Sequence, residues 1–162
     1  MTSLTYSHVG ATRDGSLPDG YRHLRYRVRI GVGEAVLGRA AEAILTFRMH
    51  RAIGTRIITS GDRAAPGVDL TVGIGPLRAP CEVVWASPHG FAYGTKEGHP
   101  ASGEEAFRVE LDDAGQVWFT VTAFSRPAGA LMRAAGPVGV LFQHLYARLC
   151  GRALRRLVTV KR

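Results

Sequence analysis

The residues best suited to chemistry lie in one stretch, FAYGTKEGHPASGEEAF, residues 91–107. Gly94, Gly98 and Gly103 permit sharp turns, and His99-Pro100 stiffens the loop between them. Beyond the loop the pattern has period two. Phe107, Val109 and Leu111 share one face with Glu105, while Glu104, Arg108 and Glu110 share the other. Glu105 is therefore expected to point inward and Glu104 outward. A carboxylate on an apolar face has its pKa raised by desolvation unless a cation pairs with it. That prepares a general acid or base for neutral pH. The structural alternative is that Glu105 pairs with a buried arginine and only holds the sheet together. Tyr93, across the loop, and His99 complete a candidate catalytic set. Each also has a plainer role: core packing with a satisfied hydroxyl for Tyr93, and a loop-stabilising hydrogen bond for His99.

Two further clusters could contact a ligand. Arg48 and Arg51, in Phe47-Arg48-Met49-His50-Arg51, are three apart on a helix and could reach Glu105 or an anion, or could be cations at a wet helix end. Ser125 and Arg126, in Phe124-Ser125-Arg126-Pro127, stand where a strand hands over to a helix. Arg126 there is either an anion contact at a cavity mouth or a surface charge. Ser125 has no histidine or acid adjacent in sequence to activate it as a nucleophile. Cys81 is in phase with Val83 and Trp85 and reads as a buried thiol. No two histidines fall within a helical turn of each other, so no metal site is expected.

The elements that must position these residues follow from periodicity. Residues 22–30, RHLRYRVRI, alternate between an apolar face and a basic one, as in a half-buried strand. From Glu34 to about Arg51, Val36, Leu37, Ala40, Ala41, Ile44 and Phe47 recur at helical spacing, and Gly54 is a plausible stop. The glycines of Gly31-Val-Gly33 invite comparison with a dinucleotide fingerprint, but Val36 stands where the third glycine is needed. Roughly seventy strand-like residues follow, joined by turns short enough to require antiparallel pairing. Pro127 then opens a long helical segment, interrupted at Gly136-Pro137. Its Leu131, Val138, Leu141, Phe142, Leu145 and Leu149 are expected to face the sheet. Small residues in its first half should leave a pocket of roughly 300 Å³ or more beneath it, opening near Arg126 and the 94–103 loop.

The chain has 162 residues, 46% of them hydrophobic, which suits one domain spanning residues 1–162. No run approaches the roughly 18 apolar residues of a membrane span. Two distant cysteines give no disulfide framework, and a cytoplasmic location is expected. The net charge of +8 is uneven, because residues 148–162 carry six bases and no acid. Without a reading motif or interleaved aromatics, no specific nucleic-acid partner is expected.

The run Phe91-x-Tyr93-Gly94-Thr95-x-x-Gly98-His99-Pro100-x-x-Gly103-Glu104-Glu105-x-Phe107 resembles the signature of a widespread domain family of unknown function found in bacteria and plants. The resemblance extends to Val9-Gly10-Ala11-Thr12, Leu17-Pro18-x-Gly20-Tyr21, Arg48-Met49-His50-Arg51, Gly75-Pro76, Pro80-Cys81 and Ala123-Phe124-Ser125-Arg126-Pro127. Phe47 departs from it, standing where the family usually has tryptophan. The resemblance implies a compact soluble domain and weight for the glycine-histidine-glutamate loop, and it names no substrate.

The expected fold is α+β, in the order strand, helix, strands, helix. A curved antiparallel sheet wraps around a long C-terminal helix, like the helix grip of START-like and pathogenesis-related lipid-binding proteins. The expected ligand is a small hydrophobic molecule. If there is catalysis, it should be cofactor-independent: cyclisation, dehydration or isomerisation, for instance of a polyketide-like intermediate. The alternatives are a non-catalytic carrier of lipids or other hydrophobic ligands, or an interaction module using the basic C-terminal helix.

Overall fold

The computed structural model describes residues 3–159. Lys161 and Arg162, at the end of the basic tail, lie outside the described residues. Seven strands form one antiparallel sheet: β1 (Arg22–Val32), β2 (Arg56–Thr59), β3 (Asp69–Ile74), β4 (Leu77–Ser87), β5 (Gly90–Thr95), β6 (Ala101–Leu111) and β7 (Gln116–Pro127). Their order is β1-β7-β6-β5-β4-β3-β2. Strands β2 to β7 run as a meander, and β1 closes against β7 with Leu24 opposite Ala123. The helices are α1 (Ala11–Asp14), α2 (Glu34–Leu45), α3 (Arg48–Ala52), α4 (Ala130–Ala134) and α5 (Gly136–Val158). The fold is α+β, a sheet gripping a long C-terminal helix, as the periodicity predicts.

The main core lies between the sheet and helices α2, α3 and α5, with Phe91, Phe107, Phe119, Ile44 and Leu154 fully buried. On β1, Leu24 and Ile30 are buried while Arg25, Arg27 and Arg29 face water, as alternation requires. Arg27 lies over the Trp118 ring at 3.8 Å, so that wet face is covered by stacking.

Two helices depart from expectation. The helix from Glu34 is not continuous to Arg51. It ends at Leu45, where Thr46 Oγ1 turns back to donate to Glu42 O (2.7 Å). Phe47 then adopts a left-handed backbone, φ 63°, rare for a bulky residue. This turn drives its ring into the core, edge-on to Phe91 at 5.5 Å, and starts α3 in a new direction.

The C-terminal helix is also rotated from the expected phase. Leu131, Leu141, Leu145 and Leu149 do not pack on the sheet, Leu131 being 82% exposed and Leu141 69%, whereas Val138 and Phe142 face the space between helix and sheet without filling it. The buried face is instead Tyr146, Ala147, Cys150, Gly151, Ala153, Leu154 and Val158. Small residues let the helix axis approach β1. A Cβ at Gly151 would meet Val28 Cγ1 at 3.1 Å and Tyr26 Oη at 3.2 Å. Close backbone approach here outweighs the burial of large side chains. The predicted interruption is real, with α4 and α5 divided at Ala135.

The far face of the sheet is covered as well. Residues 4–14 run across it, pairing Leu4 with Lys96 and packing beside Trp85, Ala92 and Ala106. Among the described residues no helix is long and apolar enough to cross a membrane.

Candidate functional site

Strand β6 presents Glu104 and Glu105 to opposite faces of the sheet. Glu105 points toward the helices. Its cross-strand partner on β5 is Tyr93, whose hydroxyl donates to Glu105 Oε1 at 3.0 Å. The Tyr146 hydroxyl, from α5, lies 3.4 Å from that of Tyr93. Three polar groups from three elements thus form a chain within a largely apolar wall. Among the described residues, no cation lies within 4.0 Å of Glu105. Burial pushes its pKa up to about 7, against the opposing hydrogen bond from Tyr93. Burial also raises the Tyr93 and Tyr146 phenols well above the ordinary tyrosine value, so both remain donors at neutral pH.

These groups border a cavity of about 310 Å³ beneath the first half of α5. Its walls include Val72, Cys81, Ala123, Ala135, Val138, Gly139 and Phe142. The volume sits at the lower end of small-molecule sites. Arg22, Ser125, Arg126 and Pro127 border the same space, and a second, open groove of about 630 Å³ continues from Arg22, Arg126 and Pro127.

Five of the seven residues selected from sequence meet here: Tyr93, His99, Glu105, Ser125 and Arg126 all line the cavity. His99 Nδ1 accepts from the Ala101 amide (2.9 Å), and burial lowers its pKa to about 4. It is a neutral imidazole that also shapes the loop. Ser125 Oγ accepts from Gln143 Nε2 (2.8 Å). Arg126 lies over the Tyr21 ring at 4.8 Å. Arg48 and Arg51 are elsewhere: both are exposed on α3, outside the cavity lining, and Arg51 donates to Thr46 O. The break at Phe47 turns α3 so that Met49 and His50 enter the core and the arginines face water.

Sequence reasoning missed three groups. Tyr146 belongs to the ladder Phe142-Tyr146-Cys150-Leu154, four residues apart, which would have placed it inward. His50 is fully buried among Phe91, Tyr93, Phe107 and Tyr146, with both ring nitrogens unpartnered and its pKa lowered by burial to about 3. Its signal was its place between two arginines that need water.

The third is Glu104. Expected to face outward into solvent, it is 2% exposed, because residues 4–14 cover that face. Its carboxylate accepts from Tyr6 Oη (2.7 Å), the Gly10 amide (2.7 Å), the Thr12 amide (3.0 Å) and the Thr12 hydroxyl. Trp85 Nε1 donates to Thr12 Oγ1 (3.0 Å), and Arg108 lies over the Trp85 ring while donating to Thr12 O (2.6 Å). Gly94 makes room for this arrangement, since a Cβ there would collide with the Tyr6 ring.

Residues 5–153 match the family model described as domain of unknown function DUF1990. A UPF0548 protein of Deinococcus radiodurans is 35% identical over 94% of this chain and 86% of its own length. Among solved structures, a hypothetical protein from Helicobacter pylori superposes with a TM-score of 0.63 at 12% identity, covering 98% of both chains. A truncated norcoclaurine synthase from Thalictrum flavum also gives 0.63, at 11% identity over 88% of this chain and 96% of the other. At these identities the structural likenesses show a shared fold.

Proposed function

We propose that this chain, which belongs to the DUF1990 family, binds a small, largely apolar molecule in the cavity under α5 and moves a proton on it through Glu105. The observation that carries the reading is a carboxylate that no cation among the described residues pairs with, facing an apolar cavity, with its pKa near 7 and a phenol as its hydrogen-bond partner. A purely structural carboxylate gains nothing from that environment. Near neutral pH Glu105 is present in both protonation states, as general acid–base work requires.

The chemistry follows from the groups. Glu105 takes a proton from a carbon next to a carbonyl. The C–H electron pair moves into an enolate, and the oxygen accepts a hydrogen bond from Tyr93 or Tyr146. Return of the proton from Glu105 to a different carbon completes an isomerisation; given to a departing β-hydroxyl, which leaves as water, it completes a dehydration; given to the alkoxide formed when the enolate carbon attacks a second carbonyl, it completes a cyclisation. These are steps that a polyketide-like intermediate undergoes. His99, Ser125 and Arg126 orient the ligand at the cavity mouth. A neighbour of the same fold is by name a synthase, which agrees with catalysis in this architecture.

The test fills the cavity. A Cβ on Gly139 meets no heavy atom within 4 Å, and Gly139 lines the space. Gly139→Leu should therefore fold with stability unchanged or raised by about 1 kcal/mol. It should lose binding of Nile red and of any small molecule that native mass spectrometry finds retained by the wild type. A drop in stability of about 1–3 kcal/mol would mean the space is ordinary core, and the reading would fall.

A further inference from the structure

The groove that continues from the cavity carries three arginines from three elements: Arg22 at the start of β1, Arg126 near the end of β7 and Arg133 in α4. Among the described residues, none of the three has a carboxylate within 4.0 Å; the ion pairs there are Arg63–Glu42 and Lys96–Asp69. The sequence deepens the imbalance, with no Asp or Glu after Asp113. Two of the guanidiniums are also held in place. Arg22 Nη1 donates to Gly136 O (3.3 Å), and Arg126 is stacked over Tyr21. Exposed arginines usually find an acid or stay mobile; here they converge, uncompensated and partly fixed, where an apolar cavity opens.

We propose that this groove is an anion subsite, and that the ligand of the cavity is an amphipathic anion: an apolar body inside, one terminal carboxylate or phosphate at the arginines. The proposal rests on the cavity reading and specifies its substrate class. Planar guanidiniums match both head groups, because each can donate two parallel hydrogen bonds to paired oxygens. Orientation follows from charge. The inner wall holds Glu105, so a second negative group placed there would be desolvated beside a carboxylate. The mouth supplies cations and solvent, so the head group stays there and the apolar body extends toward Tyr93 and Tyr146. That placement brings carbons of the body, rather than the charged end, to Glu105.

The experiment compares ligands that differ only at the head: decanoate, decyl phosphate and 1-decanol, each displacing Nile red from the full chain at pH 8. We expect decanoate or decyl phosphate to bind about tenfold or more tightly than decanol at low salt, with the advantage shrinking in 0.5 M salt. The tighter of the two names the head group. The double variant Arg22→Gln, Arg126→Gln should erase the advantage, bringing both anions to the affinity of decanol, while Arg126→Lys should keep part of it. A urea-unfolding midpoint equal to that of the wild type shows that the variants fold. If all three ligands bind alike in the wild type, the anion subsite is wrong and the cavity reading stands. If none displaces the dye, the cavity reading falls and the subsite with it.

Discussion

Glu104 and Glu105 are adjacent in the chain, share a strand and are both withdrawn from bulk water, yet their surroundings have little in common. Glu104 accepts four hydrogen bonds from three residues of the N-terminal segment, and one of these, Thr12, is itself tied to Trp85 and Arg108. Glu105 accepts one, from Tyr93, and otherwise faces open space. Period-two geometry sends them to opposite faces, and what covers each face does the rest. A saturated carboxylate holds structure; an undersupplied one keeps its proton affinity available. Under the proposed function, the stability of the motif rests on one glutamate and its proton transfer on the other.

The sharpest way to break that contrast is to remove each side chain in turn. Glu104→Ala strands buried donors from Tyr6, Gly10 and Thr12 and should cost about 3–5 kcal/mol in urea unfolding. A loss below about 1 kcal/mol would make the two residues equivalent and refute the assignment.

Glu105→Gln should show the opposite behaviour, and its effect should depend on pH. The folded-state pKa of about 7 lies above the unfolded value of 4.5, so between these limits the folded protein holds more protons and loses stability as pH rises. The penalty is absent below about pH 4.5 and complete above about 7. Glu105→Gln should remove it, gaining on the order of 1–3 kcal/mol at pH 8 and nothing at pH 4. His50 and His99 act with the other sign, since their lowered values make stability fall as pH drops from 6.5 toward 3–4. The Glu105 contribution is therefore read as the difference between wild type and variant across a pH series. A flat difference would mean that Glu105 does not titrate near neutrality.

Tyr93→Phe gives the smallest effect. It removes the hydrogen bond that stabilises the Glu105 carboxylate, at a cost of no more than about 1.5 kcal/mol. The apparent pKa of Glu105, followed by carboxyl-carbon NMR, should move further upward. A downward shift would show that the phenol is not its main partner.

The sequence carried the fold further than the site. Alternation on β1 and β6, the turns between strands and the interruption at Gly136-Pro137 all have local causes, and they read correctly. So did the inward aim of Glu105, because Phe107 and Val109 set its phase. Glu104 was misread because alternation tells which face a residue occupies and not what lies over that face; its cover comes from about 95 residues upstream. The last helix was misread because its large side chains were assumed to be the buried ones. It packs through Ala147, Gly151 and Ala153, a preference that depends on how close β1 comes. Arg48 and Arg51 drew attention that belonged to His50, since the left-handed turn at Phe47 has no signature in residue type.

The N-terminal segment has a consequence for the order of assembly. Its bonds to Glu104 bridge 98 residues from Tyr6 and 92 from Thr12. More than ninety residues must therefore follow this segment before its bonds to Glu104 can form. Until the segment docks on the paired strands, Trp85 lacks its hydrogen bond to Thr12. Closing so long a loop costs entropy that is recovered only after its docking surface exists. The strap is thus a late step in folding, docking only after the strands that lie beneath it have paired.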